Sequence, residues 1–200
     1  MVGGVDLGMR RDANVLVVVG QLPDPDSKGR PRFRVVWLEE HFALPYDAWI
    51  DRLVYLAGRF QFASLASEVL GVGDYPTTSL DRRLYEAGLG GVVIPVATTA
   101  KLKENGFGLI ALLIQQGRLE LPPHPGLLRQ LAGLEIERGE TGSSRIAVPE
   151  RVGHDDLAMG LCFAALQLGA GELRPVVEHL VSIGELLDEP ELDYHQIAPF

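Results

Sequence analysis

The segment VGGVDLGMRRDANVLVVVG, residues 2–20, reads as a strand, a tight turn and a second strand. Two apolar, largely β-branched runs flank MRRDAN, a patch of charged and turn-forming residues. Asp6 is the one charged residue of the first run, set among apolar residues and glycines. Residues 32–43, RFRVVWLEEHFA, supply a third strand, joined through the Pro-, Asp- and Gly-rich LPDPDSKGRP, the composition of a hairpin loop. Three consecutive strands therefore open the chain.

Beyond them the pattern alternates. Apolar residues at 46, 49, 50, 53, 54 and 57 recur at helical spacing, giving a helix over 45–59 with Gly58 near its end. FASLASEVL at 62–70 is short, apolar and followed by Gly71 and Gly73, as a buried central strand would be, with Glu68 as its polar exception. A helix over roughly 78–87, a strand at 90–97, a long helix from Thr99 to Gln116, a short strand in RLELP and a helix in HPGLLRQLAG follow. LEIERG and SSRIAVP then read as a β-hairpin with its tip at 139–143. VGHDDLAMGLCFAALQL, residues 152–168, closes the series as an apolar helix with two aspartates at its mouth. The order predicts an α/β fold, a mixed central sheet with helices on both faces and an additional hairpin. The remainder, from 171 to 200, reads as a helix and an acidic tail outside a single domain of residues 1–170.

Composition excludes several classes. With 46% apolar residues in 200 the chain can bury a full core. A single cysteine, Cys162, rules out an intramolecular disulfide and a cysteine-rich metal site, which fits a reducing, intracellular setting. No apolar run is long enough to span a membrane. A net charge of −9 is unlike a freestanding nucleic-acid binder, which carries excess Lys and Arg.

The acids remain to be placed. A helix N-cap accounts for one aspartate of Asp155 and Asp156, but not for the second or for His154 before them. Asp6, Glu68 and the doublet all fall at ends of central elements beside glycines, and converging carboxylates are stable only around a cation. An all-oxygen set points to a hard ion, Mg²⁺ or Mn²⁺. On a helical wheel Asp156 shares a face with Gly160 and Phe163, and Asp155 shares one with Met159 and Cys162. Both faces are apolar enough to meet the sheet; the reading leans to Asp156 as ligand, with Asp155 capping the helix or assisting.

GVDLGMRRDANVLVVVG, SEVLGVG, KLKENGFGLIALLIQQGRLELP and VGHDDLAMGLCFAAL, in this order, resemble the C-terminal nuclease domain of the phage terminase large subunit, within the RNase H-like superfamily. The resemblance spans residues 2–168. It implies an RNase H-like nuclease domain that cuts double-stranded viral DNA during genome packaging with two divalent metals. By that analogy Asp6 bridges both ions, Glu68 binds one, and the 155–156 doublet supplies the last ligand. His154 is then a neighbouring group or proton shuttle. Arg10, Arg11, Lys101, Lys103, Arg82, Arg83 and Arg145 are the candidate phosphate contacts, with Arg10, Arg11 and Lys101 nearest the strand ends. Delivery of DNA by a tethered motor would offset the overall acidity.

The resemblance also implies partners: the terminase ATPase motor, the portal and the small subunit, in the cytoplasm of an infected bacterium. No GxxxxGK[ST] loop occurs, so the expectation is the nuclease portion alone, or a relative without the motor. Where family members often carry Asn after the acidic strand, this chain has Leu70. Competing readings are a Holliday-junction-resolvase-like nuclease, a non-catalytic packaging module that docks to portal or motor, and, more weakly, an actin-like phosphate-binding domain.

Overall fold

The computed structural model describes residues 1–8, 13–69, 75–138, 144–149 and 153–168. Strands β1 (Val2–Asp6), β2 (Ala13–Gln21) and β3 (Phe33–Phe42) form an antiparallel meander. Helix α1 (Tyr46–Phe60) leads to β4 (Ser64–Glu68), which pairs in parallel with β1, and α2 (Tyr75–Glu86) leads to β5 (Val93–Val96), parallel to β4. Helix α3 (Ala100–Gln115), the short β6 (Leu119–Glu120) and α4 (Pro125–Ala132) precede a separate hairpin of β7 (Glu135–Arg138) and β8 (Ser144–Ala147). Helix α5 (Asp156–Leu168) ends the described chain. The main sheet runs β5-β4-β1-β2-β3-β6, so the strand carrying Asp6 lies in its middle.

Strand β2 shows why helices cover both faces. Its residues are buried from Ala13 to Gly20, and alternate side chains must enter different cores. Val15, Val17 and Val19 meet α3, α4 and α5 through Phe107, Ile110, Leu127, Leu161 and Phe163. Leu16 and Val18 meet α1 and α2 through Trp49, Ile50, Leu53, Leu80 and Leu84. Each large apolar side chain so buried contributes about 1.5–3 kcal/mol.

Several boundaries differ from the sequence reading: β4 and β5 are shorter than the runs at 62–70 and 90–97. Helix α2 begins at Tyr75 rather than near 78, because Pro76 sits in its first turn, where a missing N–H costs no helical hydrogen bond. Helix α1 runs through Gly58 and is capped by Gln61 in the left-handed region at φ 49. The expected tail helix and the hairpin tip at 139–143 lie outside the described residues.

Helix α5 lies directly on β1. A Cβ on Gly4 would stand 2.0 Å from the carbonyl oxygen of Gly160 and 2.5 Å from the amide nitrogen of Ala164. Backbone therefore meets backbone, and only glycine fits. Gly106 makes a similar allowance on α3, where a Cβ would stand 2.2 Å from Cys162 Sγ. Because the atoms facing Gly4 are main chain, Gly4→Ala must displace the helix. It is expected to lower the unfolding free energy by about 2–4 kcal/mol in urea titration. Gly58→Ala, whose new methyl would meet only Leu89 at 4.0 Å, is expected to raise it by up to about 1 kcal/mol.

Candidate metal centre

Asp6 ends β1 and Glu68 ends β4. The two strands are parallel, with Val5 opposite Ser67, so the next residues on each, the two acids, stand level. Paired residues of parallel strands point to the same face. Val5 enters the core under α1 and α2, which turns Asp6 and Glu68 to the α5 side. Asp156 arrives from above. It stands one helical turn, about 6 Å, before Gly160, while Asp6 stands two residues, about 6.8 Å, beyond Gly4. The contact between those glycines thus brings the two carboxylates to the same end of the sheet.

Asp6 and Asp156 are 8% and 7% exposed, the buried members of the set. Burial, a hydrogen bond with Glu68 and the charges of Glu68, Asp156 and Asp155 push the Asp6 carboxyl well above its ordinary value. Each neighbour has its own partner. Thr98 Oγ1 donates to Glu68 Oε1 at 2.5 Å, the Ala13 N–H donates to Asp156 Oδ2 at 3.1 Å, and Lys103 Nζ donates to Asp155 Oδ2 at 3.0 Å. With these partners in place, no three acid, His or Cys side chains among the described residues stand close enough to share one ion. The all-oxygen donor set nevertheless fits a hard divalent cation. The mutual repulsion felt by Asp6 is the charge such a cation would neutralise.

Surrounding residues fix this arrangement. Gln130 of α4 caps α5, its Oε1 accepting from the Ala158 N–H at 2.9 Å. Thr77 Oγ1 donates to the Glu68 carbonyl at 2.8 Å and pairs with Ser67 Oγ at 2.9 Å, which ties α2 to the end of β4. The Tyr46 hydroxyl donates to the Gly8 carbonyl at 3.0 Å, and burial together with the Glu68 charge pushes its phenol upward. Burial pushes the Cys162 thiol up to about 12, so it packs as an apolar group. None of Thr98, Gln130, Thr77 or Tyr46 was singled out by the sequence. The one signal was the TT pair at 98–99, of which Thr99 caps α3 by accepting from the Leu102 N–H and Thr98 reaches Glu68.

The candidate cations are dispersed. Lys103 lies within the cluster, and Lys101 is exposed at the mouth of α3 beside Glu104. Arg82 and Arg83 lie on α2, which covers the opposite face; Arg83 bonds Asp47 at 2.6 Å and also Asp51. His154 is exposed immediately before α5. Arg145 belongs to β8 by its backbone, its side chain outside the described atoms, and Arg10 and Arg11 lie outside the described residues.

A mixed six-stranded sheet with helices on both faces and an acid at the end of the central strand is the RNase H-like architecture. The chain matches the crystal structure of the large terminase nuclease from thermophilic phage G20c with a TM-score of 0.66 and 24% identity, over 83% of this chain and 81% of that one. A cobalt-bound structure of that nuclease matches at 0.66 and 25% identity, over 83% and 80%, and a magnesium-bound one has also been solved. The HK97 bacteriophage large terminase matches at 0.63 and 15% identity, over 82% of this chain and 38% of that protein. No family model and no curated protein matches the sequence. Among the described residues, no helix is long and apolar enough to cross a membrane.

The raised Asp6 value has a pH consequence. A carboxyl that binds its proton more tightly when folded contributes stability fully present below its ordinary value of 3.8, and this is lost as pH rises through the folded-state value. Asp26, held down at about 2 by hydrogen bonds from Arg30 and Lys28, acts with the opposite sign. The difference between wild type and Asp6→Asn isolates the Asp6 contribution. In EDTA the variant is expected to gain Tm relative to wild type as pH rises above 3.8, with the gain levelling off once wild-type Asp6 is ionised. A difference that shrinks with rising pH would contradict the assignment.

Proposed function

We propose that this chain is a divalent-metal-dependent endonuclease that cuts double-stranded viral DNA during genome packaging. The observation that carries this reading is the gathering of Asp6, Glu68 and Asp156 from three rigid elements at one end of an RNase H-like sheet. Its support is the likeness to large terminase nucleases solved with magnesium or cobalt. In this reading Asp6, Glu68 and an aspartate of the 155–156 pair hold two ions, Mg²⁺ or Mn²⁺. Bound there, the ions would activate water and stabilise the leaving 3′ oxygen of a phosphodiester.

The chain's own residues then have definite tasks. Asp6, on the central strand, faces both Glu68 and α5 and would help to hold the ions. Thr98 holds Glu68, and Gln130 with the Ala13 N–H holds the start of α5. His154, exposed beside the doublet, would move a proton at the solvent side. Phosphate contacts are assigned to Arg10, Arg11 and Lys101, with Arg145 on the hairpin. Arg82 and Arg83, on the opposite face, take no part. The motor, portal and small subunit that deliver DNA are partners of this reading, in the cytoplasm of a phage-infected bacterium.

Supercoiled plasmid incubated with this chain is expected to be nicked and linearised with Mg²⁺ or Mn²⁺ and left intact in EDTA. Asp6→Ala should reduce the rate at least about 100-fold. Mn²⁺ binding without cutting at high protein concentration would overturn the catalytic assignment, and cutting that survives Asp6→Ala would overturn the site.

A further inference from the structure

Two adjacent aspartates open α5, and the structure gives them different surroundings. Asp156 is buried against the sheet, on the face that carries Gly160 toward β1. Asp155 turns to α3, where Lys103 donates to its Oδ2 at 3.0 Å. Both partners are largely withdrawn from solvent, with side chains 20% and 27% exposed. Among the described ion pairs this matches Arg30 with Asp26, at 32% and 12% exposed, and exceeds Arg83 with Asp47 and Asp51, whose carboxylate side chains are 62% and 70% exposed. An enclosed ammonium beside a carboxylate is screened little by water and holds it firmly.

We propose that Lys103 is a positioning residue that engages Asp155 and leaves Asp156 as the carboxylate of the doublet that faces the ions. The inference rests on the metal-nuclease reading and adds a division of labour within the pair. Asp155 serves as the counter-charge that docks α3 onto the mouth of α5. Lys103 also lowers the negative charge around Asp6, whose carboxyl feels Asp155 as well as Asp156. Lys103 is thereby withdrawn from the set of phosphate contacts.

The test measures Mn²⁺ binding by calorimetry on the whole chain, together with plasmid cutting, for Asp155→Asn, Asp156→Asn, Lys103→Met, Lys103→Arg and Lys103→Met with Asp155→Asn. Asp156→Asn is expected to abolish cutting and with it most Mn²⁺ binding, while Asp155→Asn keeps cutting and weakens Mn²⁺ binding by no more than about fivefold, the effect of one unit charge. Lys103→Met frees a carboxylate beside the cluster and is expected to tighten Mn²⁺ binding about fivefold, the order of effect of a unit charge near a divalent ion in a partly solvated site. Lys103→Arg should behave as wild type, and the double variant should lose the tightening. A merely structural pair would lower Tm in all Lys103 and Asp155 variants with no change in the Mn²⁺ midpoint, and that result overturns the proposal. So does an Asp155→Asn variant as inactive as Asp156→Asn in a wild type that binds and cuts, an outcome that leaves the nuclease reading standing. A wild type that neither binds Mn²⁺ nor cuts overturns both.

Discussion

The approach of α5 to β1 at Gly4 and Gly160 sets the geometry on which the acidic cluster depends. A side chain at Gly4 would occupy the space of the helix backbone, so height and rotation of α5 on the sheet are set by main-chain contact. Gly160 is pressed from its own side, where a Cβ would stand 2.9 Å from Val15 and 3.0 Å from Val17. Asp6 and Asp156 each lie a short, rigid step from this contact. Carboxylates mounted on a central strand and a buried helix are held far more closely than any loop could hold them. The same contact buries Leu157 through Ala165 of α5, so placement of the site and closure of one core are a single event.

Collecting acids in this way opposes folding, and the surroundings show how the chain offsets it. A shared hydrogen bond links Asp6 to Glu68, a backbone amide serves Asp156, a hydroxyl serves Glu68, and an ammonium serves Asp155. These are four different chemical answers to one excess of negative charge. None removes the repulsion, as the upward push on Asp6 records. The stability that tolerates it comes from the cores on the two faces of the sheet. Surface ion pairs such as those of Arg32 and Arg34 with Glu120 contribute little by comparison.

Much of this was legible in the sequence because it is local. The strand pair around residues 2–20, the interruption of an apolar strand by Glu68 and the acidic mouth of the last helix are patterns of adjacent residues, and the sheet with helices on both faces follows from their order. The helical wheel also put Asp156 on the face of Gly160, the face that meets β1. What could not be read was which distant residue answers each acid. Ala13 meets Asp156 across 143 positions, Lys103 meets Asp155 across 52, and Thr98 meets Glu68 across 30. Nothing in the local pattern of KLKEN distinguishes the Lys103 that turns inward from the Lys101 that pairs with Glu104 on the surface. The helix read from about 78 begins three residues earlier, at Tyr75, because the first helical turn accepts Pro76.

Two like charges side by side at the mouth of a buried helix stand as a conflict in one dimension and resolve in three. Successive helical residues are turned by about 100°, so one aspartate is carried onto the sheet and the other onto α3. Their repulsion is answered separately on each side. The arrangement also bears on how an acidic protein could receive DNA. A phosphodiester brought to this cluster without cations would meet its net negative charge. Under the nuclease reading, divalent ions are therefore needed for substrate to enter as well as for its hydrolysis, and the overall charge of −9 makes the approach of DNA depend on the local change at this one end of the sheet.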